Sequence, residues 1–199
     1  MSVGVLALQG DFEAHGAALA SRGVAWHEAR TAEQVRAGSA LVVPGGESTT
    51  FRTLMEGTGV EEAIREVARR GDPVFGTCAG AILLSRTVTN PRGEGLGLLD
   101  AVIERNAYGR QLDSTVVSLT DLDREALGPD PLEAVFIRAP RFSRVGPGVA
   151  VLARRDGAPV LVRQGSVLAA TFHPELSADP RVLDLFLSIG AARATAATR

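Results

Sequence analysis

Cys78 is the residue of this sequence whose setting most clearly suggests chemistry. It is the single cysteine of 199 residues and the centre of Gly-Thr-Cys-Ala-Gly (residues 76–80), directly after a predicted buried strand and before a predicted helix. A glycine-flanked nucleophile at a sharp strand-to-helix turn is the nucleophile elbow of hydrolases, here with Cys in place of Ser. The helix N-terminus favours the thiolate, and the backbone N–H of Ala79 points at an oxyanion formed there. The alternative is a buried cysteine in a tight packing contact.

His173 and Glu175 could supply the base that a nucleophilic thiol needs. The segment His-Pro-Glu (residues 173–175) follows an apolar run over residues 167–172 that predicts a strand. Residues two apart on a strand lean to one face, so Glu175 can orient His173. A thiol requires a group that takes its proton and returns it to a leaving amine, and that base requires an orienting partner. The alternative is a simple turn into the last helix.

Residues 44–50, Pro-Gly-Gly-Glu-Ser-Thr-Thr, lie between a predicted strand and a predicted helix. Adjacent glycines let the backbone approach a ligand and direct N–H groups toward it, so this segment predicts the second half of an oxyanion hole. The alternative is a turn followed by a serine cap. The Gly-Glu-Gly-Leu-Gly segment (residues 93–97) lacks the spacing of a dinucleotide fingerprint and is predicted to be a loop.

The remaining histidines and the composition exclude several function classes. His15 and His27 fall in a predicted first helix and an early strand, where we predict structural roles, and three scattered histidines indicate no metal site. All 21 basic residues are Arg, so a P-loop lysine and a Schiff-base enzyme are excluded. A net charge of −2 gives no basic surface for nucleic acid. No apolar run reaches the ~20 residues of a membrane helix.

A cytoplasmic location is expected for this chain. Its one cysteine cannot form an internal disulfide, and its N-terminal residues lack the charged region of a signal peptide. A free thiol fits a reducing compartment.

The elements that must position these residues alternate between strand and helix in the first half. Strands are predicted at residues 3–8, 24–29, 40–43 and 73–76, and helices at residues 12–22, 48–55, 60–70 and 79–85. Asp11 and Ser48 are predicted to cap two of these helices. This alternation predicts an α/β fold with a mainly parallel sheet.

The second half is predicted to consist mostly of strands that extend the same sheet in antiparallel fashion. They are predicted at residues 101–104, 114–119, 134–137, 149–153, 159–163 and 167–172. Asp-Gly and Gln-Gly turns separate several of them. A last amphipathic helix is predicted over residues 180–189. The length suits a single domain over residues 1–190, followed by a flexible tail over residues 191–199.

Together these segments resemble the class I, triad-type glutamine amidotransferases, and more closely the family of glutaminase subunits of pyridoxal 5'-phosphate synthase. The matching stretches are residues 6–10, 44–50, 76–80, 104–111, 136–140 and 172–176. The most specific are Arg-Asn-x-x-Gly-Arg-Gln (residues 105–111) and Phe-Ile-Arg-Ala-Pro (residues 136–140). Many class members carry a bulky apolar residue before the nucleophile and Gln or Glu soon after it, whereas Thr77 and Ala81 here favour the vitamin B6 branch. Residues 91–97 and 141–148 match no specific pattern.

The resemblance implies a three-layer, flavodoxin-like fold with a mixed, mainly parallel central sheet and added antiparallel strands. It implies that Cys78 attacks L-glutamine, that His173, oriented by Glu175, protonates the departing ammonia, and that water hydrolyses the resulting glutamyl thioester. The implied oxyanion hole consists of the backbone amides of Gly46 and Ala79. The implied glutamine-binding residues are Gly46, Glu47, Ser48, Arg105, Ile137 and Arg138.

The resemblance also implies a protein partner and no cofactor. The partner is a (β/α)₈-barrel synthase subunit that combines the ammonia with ribose 5-phosphate and glyceraldehyde 3-phosphate, and Gln9 and Gly10 are expected at the interface. Three alternatives remain open. They are a class I amidotransferase serving another acceptor such as the histidine-pathway cyclase, a cysteine hydrolase or peptidase of the same architecture, and a non-catalytic regulatory domain of the same fold. A complete set of Cys78, His173 and Glu175 argues against the last.

Overall fold

Strands alternate with helices along the first half of the chain and with other strands along the second half. A computed structural model describes residues 1–105, 107 and 114–196. Up to residue 105 the elements are β1 (Ser2–Leu6), α1 (Phe12–Ser21), β2 (Ala25–Ala29), α2 (Ala32–Ala37), β3 (Ala40–Val43), α3 (Ser48–Met55), α4 (Val60–Arg69), β4 (Val74–Thr77), α5 (Ala79–Leu84), β5 (Ser85–Thr89), β6 (Gly93–Glu94) and β7 (Leu99–Glu104). From residue 114 they are β8 (Ser114–Leu119), β9 (Asp121–Leu122), α6 (Arg124–Leu127), β10 (Leu132–Ile137), β11 (Arg141–Val145), β12 (Ala150–Arg155), β13 (Ala158–Gln164), β14 (Val167–Ala170) and α7 (Arg181–Ala196).

The central sheet has the strand order β2-β1-β3-β4-β14-β13-β12-β9. The five strands from β2 to β14 are parallel, and β13, β12 and β9 add to the β14 edge in antiparallel fashion. The parallel part has the 2-1-3-4-5 type of order that defines flavodoxin-like folds, whose ligands bind beyond the carboxyl ends of the strands. The predicted α/β class, with a mainly parallel sheet and antiparallel additions, is confirmed.

Helices cover both faces of the central sheet and make three layers. On one face Val3 packs with Leu19 of α1 and Phe186 of α7. On the other face Leu41 packs with Ile64 of α4. The alternation of side chains along each strand lets short, wholly apolar strands contribute to both cores at once. The carboxyl ends of β1, β3, β4 and β14 therefore lie at one rigidly supported edge.

Three of the predicted later strands do not join the central sheet. β7 forms a four-stranded sheet in the order β11-β7-β5-β6, and β8 and β10 form an antiparallel pair of their own. The prediction that residues 101–104, 114–119 and 134–137 extend the central sheet is therefore wrong. Hydrogen bonds between strands join positions far apart in the chain, and the local pattern shows that a strand exists without showing its neighbour.

Both predicted helix caps differ in the structure. Glu47, not Ser48, caps α3, because its side chain accepts a hydrogen bond from the backbone N–H of Thr50. Asp11 precedes α1 but makes no capping hydrogen bond with its side chain. A helix that the sequence analysis did not predict, α2, has a capping box between Thr31 and Gln34.

The last helix, α7, continues past residue 189 to Ala196. The predicted tail includes residues 197–199, which lie outside the described residues, so the division at residue 190 stays a prediction. Over the described part of the chain, none of the helices combines the length and apolar character needed to cross a membrane.

Candidate active site

Cys78 occupies the sharp turn between β4 and α5. Its backbone has φ 46° and ψ −103°, a conformation that side-chain-bearing residues rarely adopt and that occurs at functional sites. The flanking glycines make the turn possible. A Cβ on Gly80 would lie 1.9 Å from the carbonyl oxygen of Val43, and one on Gly76 would lie 2.8 Å from the carbonyl carbon of Gly80. The turn therefore has the geometry of a nucleophile elbow.

His173 lies just beyond β14 and precedes a short 3-10 turn over Pro174–Leu176. Its backbone N–H donates to the carbonyl of Val135 on β10 at 2.8 Å. Its Nδ1 is 2.7 Å from Oε1 of Glu175, whose side chain has 0% exposure. The predicted strand over residues 167–172 ends at Ala170, so the turn, and not a shared strand face, brings the imidazole and the carboxylate together.

The imidazole of His173 also interacts with Cys78, which raises the pKa of the imidazole. Because Glu175 is bonded to Nδ1, Nε2 is the ring nitrogen that remains for the sulfur. Burial alone would lower the pKa of His173, but hydrogen bonds to Cys78 and Glu175 and their charges raise it to about 10. Burial likewise opposes ionisation of Glu175, yet the nearby His15 and the hydrogen bond with His173 lower its pKa. The site thus holds a proton beside a sulfur nucleophile, as protonation of a leaving amine requires.

His15 of α1 lies against the same carboxylate, although the sequence predicts only a structural role for it. Its Nε2 is 3.4 Å from Oε2 of Glu175 and 3.1 Å from Oγ1 of Thr77. Burial lowers the pKa of His15, more than the neighbouring Glu175 raises it. The sequence does not reveal this contact, because α1 and the turn after β14 lie at opposite ends of the chain.

A cleft of about 180 Å³ opens over Cys78 and His173. It is lined by all six residues that the family resemblance assigns to glutamine binding: Gly46, Glu47, Ser48, Arg105, Ile137 and Arg138. Asp11, Ile82 and Pro140 line it as well, and the sequence analysis did not assign them to the site. Oδ2 of Asp11 lies 3.9 Å from Nδ1 of His173.

Glu47 and Arg105 form the polar wall of the cleft. An Nη atom of Arg105 is 3.0 Å from Oε1 of Glu47 and 3.4 Å from Oγ1 of Thr49. Burial would raise the pKa of Glu47, but hydrogen bonds from Thr49 and Thr50 lower it to about 2. Glu47 is therefore an anion at neutral pH, and Arg105 is already engaged with it.

Arg138 and Ile137 reach the cleft from the end of β10. Arg138 has a positive φ of 42° and an exposed side chain. Among the described residues, no carboxylate lies within 4.0 Å of its guanidinium, so its donors are available to a ligand. The carbonyl oxygen of Ile137 is 4.0 Å from Sγ of Cys78. The cleft thus offers a cation that has no carboxylate partner in the described part of the chain.

Gly46 lines the cleft together with Cys78, and Ala79 directly follows Cys78 in the chain. Ala79 is the first residue of α5, so its N–H has no partner within the helix. Next to Gly46, the side chain of Gln9 holds the backbone of Glu47 at both polar atoms, donating to its carbonyl at 3.0 Å and accepting from its N–H at 3.2 Å. The oxyanion role of the two amides and the interface role of Gln9 stay predictions.

Of the Arg-Asn-x-x-Gly-Arg-Gln stretch, Asn106 and residues 108–111 lie outside the described residues.

In the described part of the chain, Asp11, His173 and Glu175 form one group whose possible metal-ligand atoms lie within 4.8 Å of one another. Because Nδ1 of His173 is bonded to Glu175, that atom is not available to a metal ion, and we assign no metal to the group.

Comparison with known proteins identifies the family. The SNO glutamine amidotransferase family model matches residues 5–190. A pyridoxal 5'-phosphate synthase subunit PdxT from Koribacter versatilis (strain Ellin345) is 52% identical over 189 residues, which cover 95% of each chain. A protein of the same name from Thermus thermophilus is also 52% identical, over 94% of this chain and 96% of the relative.

Solved structures agree with this assignment. A crystal structure of a glutamine amidotransferase matches with a TM-score of 0.87 at 48% identity, over 95% of this chain and 98% of that chain. The structure of PurLQS from Thermotoga maritima matches with a TM-score of 0.68 at 15% identity, over 94% and 97% of the two chains, and shows the fold alone. Since the family match spans residues 5–190 and the relatives share half of their residues with it, this chain belongs to the SNO glutamine amidotransferase family.

Proposed function

We propose that this chain hydrolyses L-glutamine to L-glutamate and ammonia at Cys78, and that it is the glutaminase subunit of a pyridoxal 5'-phosphate synthase. The observation that carries the proposal is the unbroken set of contacts from the Cys78 thiol through His173 to the buried Glu175. The names of the relatives support the synthase assignment, because two chains that are 52% identical to this one are pyridoxal 5'-phosphate synthase subunits.

In the first half of the reaction, the Cys78 thiolate attacks the carboxamide carbon of glutamine and a carbon–sulfur bond forms. The negative charge that develops on oxygen is held by the backbone N–H groups of Gly46 and Ala79. The imidazolium of His173 gives its proton from Nε2 to the departing nitrogen, the carbon–nitrogen bond breaks, and ammonia leaves. Glu175 keeps Nδ1 of the ring protonated and stabilises the imidazolium between turnovers.

In the second half, the neutral His173 takes a proton from a water molecule that attacks the glutamyl thioester. The carbon–sulfur bond breaks, the thiolate of Cys78 and the imidazolium of His173 are restored, and the new carboxyl group releases its proton to solvent. Each turnover thus consumes one glutamine and one water and returns the site to its starting charge state. No cofactor is needed for either step.

The polar wall of the cleft suits the α-amino and α-carboxylate groups of glutamine. Arg138 carries a planar guanidinium that can bind both carboxylate oxygens, and Arg105 lines the same cleft. The anionic Glu47 suits the α-ammonium group. Ser48 and the backbone of Ile137 complete the proposed binding site.

The product explains why such a glutaminase needs a partner. Ammonia released to water at neutral pH is protonated and lost by diffusion, so it must be passed to an acceptor enzyme while still bound in a complex. We propose that this acceptor is a (β/α)₈-barrel synthase subunit. Because this chain contains no Lys, any imine chemistry takes place on the partner. The cytoplasmic location stays a prediction that the free thiol of Cys78 supports.

The test is to mix the protein with candidate acceptor barrels, supply glutamine, and follow both glutamate release and pyridoxal 5'-phosphate formation. We expect stimulation by the vitamin B6 synthase barrel. Stimulation by a different acceptor alone would replace the synthase assignment with that of another amidotransferase. No glutamate release with any acceptor would overturn the glutaminase assignment.

The variant Cys78→Ala tests the nucleophile within the same assay. We expect loss of glutamine hydrolysis by at least about 10³-fold, because no thioester can form. Added ammonium salt should still support product formation by the partner, which controls for the integrity of the complex. Residual glutaminase activity in this variant would remove Cys78 from the nucleophile role.

A further inference from the structure

The carboxylate of Glu175 has two oxygens with very different surroundings. Oε1 lies 2.7 Å from Nδ1 of His173. Oε2 is buried and has no hydrogen-bond partner among the described residues. The polar atom that faces it is Nε2 of His15 at 3.4 Å. A buried carboxylate oxygen without a partner is costly, so this contact needs an explanation.

His15 is held in place from several sides. Its Nε2 lies 3.1 Å from Oγ1 of Thr77, the residue before the nucleophile. Its ring meets the ring of Phe75 edge to face, with centroids 6.3 Å apart at 85°. The helix that carries it is seated close to β2, because a Cβ on Gly16 would lie 2.3 Å from the ring of Trp26. The imidazole therefore has a fixed position and orientation relative to Glu175.

The partners of Nε2 decide where the proton of His15 resides. A carboxylate oxygen can only accept a hydrogen bond, whereas the hydroxyl of Thr77 can accept or donate. A lone pair on Nε2 would face the lone pairs of Oε2, so the stable tautomer carries the proton on Nε2, which lies 3.1 Å from Oγ1 of Thr77 and 3.4 Å from Oε2 of Glu175. Burial lowers the pKa of His15, so the ring is neutral at physiological pH and serves as a donor without competing for the charge of Glu175.

We propose that His15 is a positioning residue of the catalytic machinery, which donates a hydrogen bond from Nε2 to Oε2 of Glu175. This hydrogen bond orients the carboxylate toward His173 and keeps the carboxylate ionised. The proposal rests on the proposed function, since it gives Glu175 a partner in the glutaminase reaction. The order of contacts is then Cys78, His173, Glu175 and His15, with β4, α1 and the turn after β14 meeting at one buried point.

Removing the donor should weaken the site in a defined direction. With Oε2 unpaired in a buried position, the neutral form of Glu175 is favoured, and the imidazolium of His173 loses part of its stabilisation. The other titratable groups near this pair are Cys78 and the exposed Asp11, and both interact with His173. The pKa of Glu175 should therefore rise and that of His173 should fall, while glutamine binding is unaffected.

The kinetic test compares His15→Leu with His15→Gln in the complete complex with the synthase partner. The side-chain amide of Gln can place an N–H donor near the position of Nε2, whereas Leu cannot. We expect kcat for glutamine hydrolysis to fall roughly 10- to 100-fold in His15→Leu, with KM within about twofold, and to be restored to within about fivefold in His15→Gln. His27→Leu is the matched control, because His27 bonds a backbone carbonyl on α2 away from the cleft.

Two readouts separate this role from simple packing. The first readout is the pKa of His173, measured by ¹⁵N NMR of histidine-labelled protein. This pKa should shift to lower pH in His15→Leu and not in His27→Leu. In the unaltered protein, His15 should give the signals of a neutral ring protonated on Nε2. The NMR measurement needs neither turnover nor a partner, so it tests His15 even if the glutaminase assignment fails.

Several outcomes would overturn the proposal. A folded His15→Leu variant with unchanged kcat and an unchanged His173 titration would show that Glu175 needs no such donor. Equal losses in the Leu and Gln variants would assign His15 to packing. If His15→Leu does not fold, an Nδ1–H or charged His15 in the unaltered protein would contradict the proposal by itself.

Discussion

The cleft has a catalytic wall, formed by Cys78, His173 and Glu175, and a binding wall, formed by Glu47, Arg105 and Arg138. The two walls differ in burial and in the number of contacts that hold their side chains. On the catalytic wall, His173 is 3% exposed and Glu175 has a completely buried side chain. On the binding wall, the side chain of Glu47 is 51% exposed and Arg138 is exposed as well. The catalytic groups are held by neighbours on three rigid elements, whereas the binding groups extend from turns at the rim. The reacting groups are thus positioned before substrate arrives, and recognition is left to groups that water also reaches.

The same comparison applies to two carboxylates that face one imidazole. Oε1 of Glu175 lies 2.7 Å from Nδ1 of His173 and Oδ2 of Asp11 lies 3.9 Å from the same atom, but the Asp11 side chain is 52% exposed. An exposed charge at this distance is screened by water, whereas a buried hydrogen bond fixes both the tautomer and the charge. We therefore expect the two residues to differ sharply in their importance.

The largest effect should follow from Glu175→Gln. The amide offers an N–H to Nδ1 and favours the wrong tautomer of His173, so kcat should fall about 10³- to 10⁴-fold. Asp11→Asn is the matched control and should lose less than about threefold. Steady-state glutamate release measures both variants. Similar losses of kcat in the two variants would show that the buried and the exposed carboxylate are equally important.

A smaller effect is expected on the binding wall. Arg138→Ala removes a guanidinium that has no carboxylate partner among the residues that the structure describes. The change should raise KM for glutamine roughly 30-fold, corresponding to about 2 kcal/mol for a charge-assisted hydrogen bond. Its kcat should stay within about threefold, because no contact to Cys78 or His173 is lost. Arg105→Ala should raise KM less, since Arg105 is already paired with Glu47. A fall in kcat with unchanged KM would place Arg138 on the catalytic wall instead.

The smallest effect concerns the unaltered protein, in which the protonation of His173 should hardly change near neutral pH. The pKa of His173 is raised to about 10, so its imidazolium should persist from pH 7 to pH 9 and disappear only as the pH passes about 10. Because this pKa lies above that of an ordinary histidine, its contribution to stability is complete below about pH 6.5 and is lost as the pH rises through 10. Histidine ¹⁵N shifts and thermal unfolding across this range provide the check. A midpoint near 6.5 would mean that His173 lacks the two hydrogen bonds that raise its pKa.

Much of the catalytic wall could be predicted from short segments. The glycines around Cys78 indicate a crowded strand-to-helix turn, and the structure shows backbone within 3 Å of a Cβ at both positions. The apolar runs and their spacing predict the alternating strands and helices of the first half. These signals are local, since each depends on residues only a few positions apart.

The remaining features depend on contacts between distant segments. Nothing near His15 in the sequence shows that Glu175 will lie beside it. The choice between Glu47 and Ser48 as a helix cap depends on backbone angles, and the extended conformation of Glu47, with φ −102° and ψ 114°, decides it. The separate sheets formed by β7, β8 and β10 depend on pairing partners that hydrophobic patterns do not specify.

Strand β10 has a mechanical consequence for the site. The carbonyl of Val135 accepts a hydrogen bond from the backbone of His173, and the carbonyl of Ile137, two residues further on, lies 4.0 Å from Sγ of Cys78. β10 pairs with β8 and does not belong to the central sheet. One strand outside the central sheet therefore contacts both the base, His173, and the nucleophile, Cys78. A displacement of this strand along its own axis moves the support of the base and the carbonyl beside the nucleophile by the same amount, without bending the parallel strands that carry them.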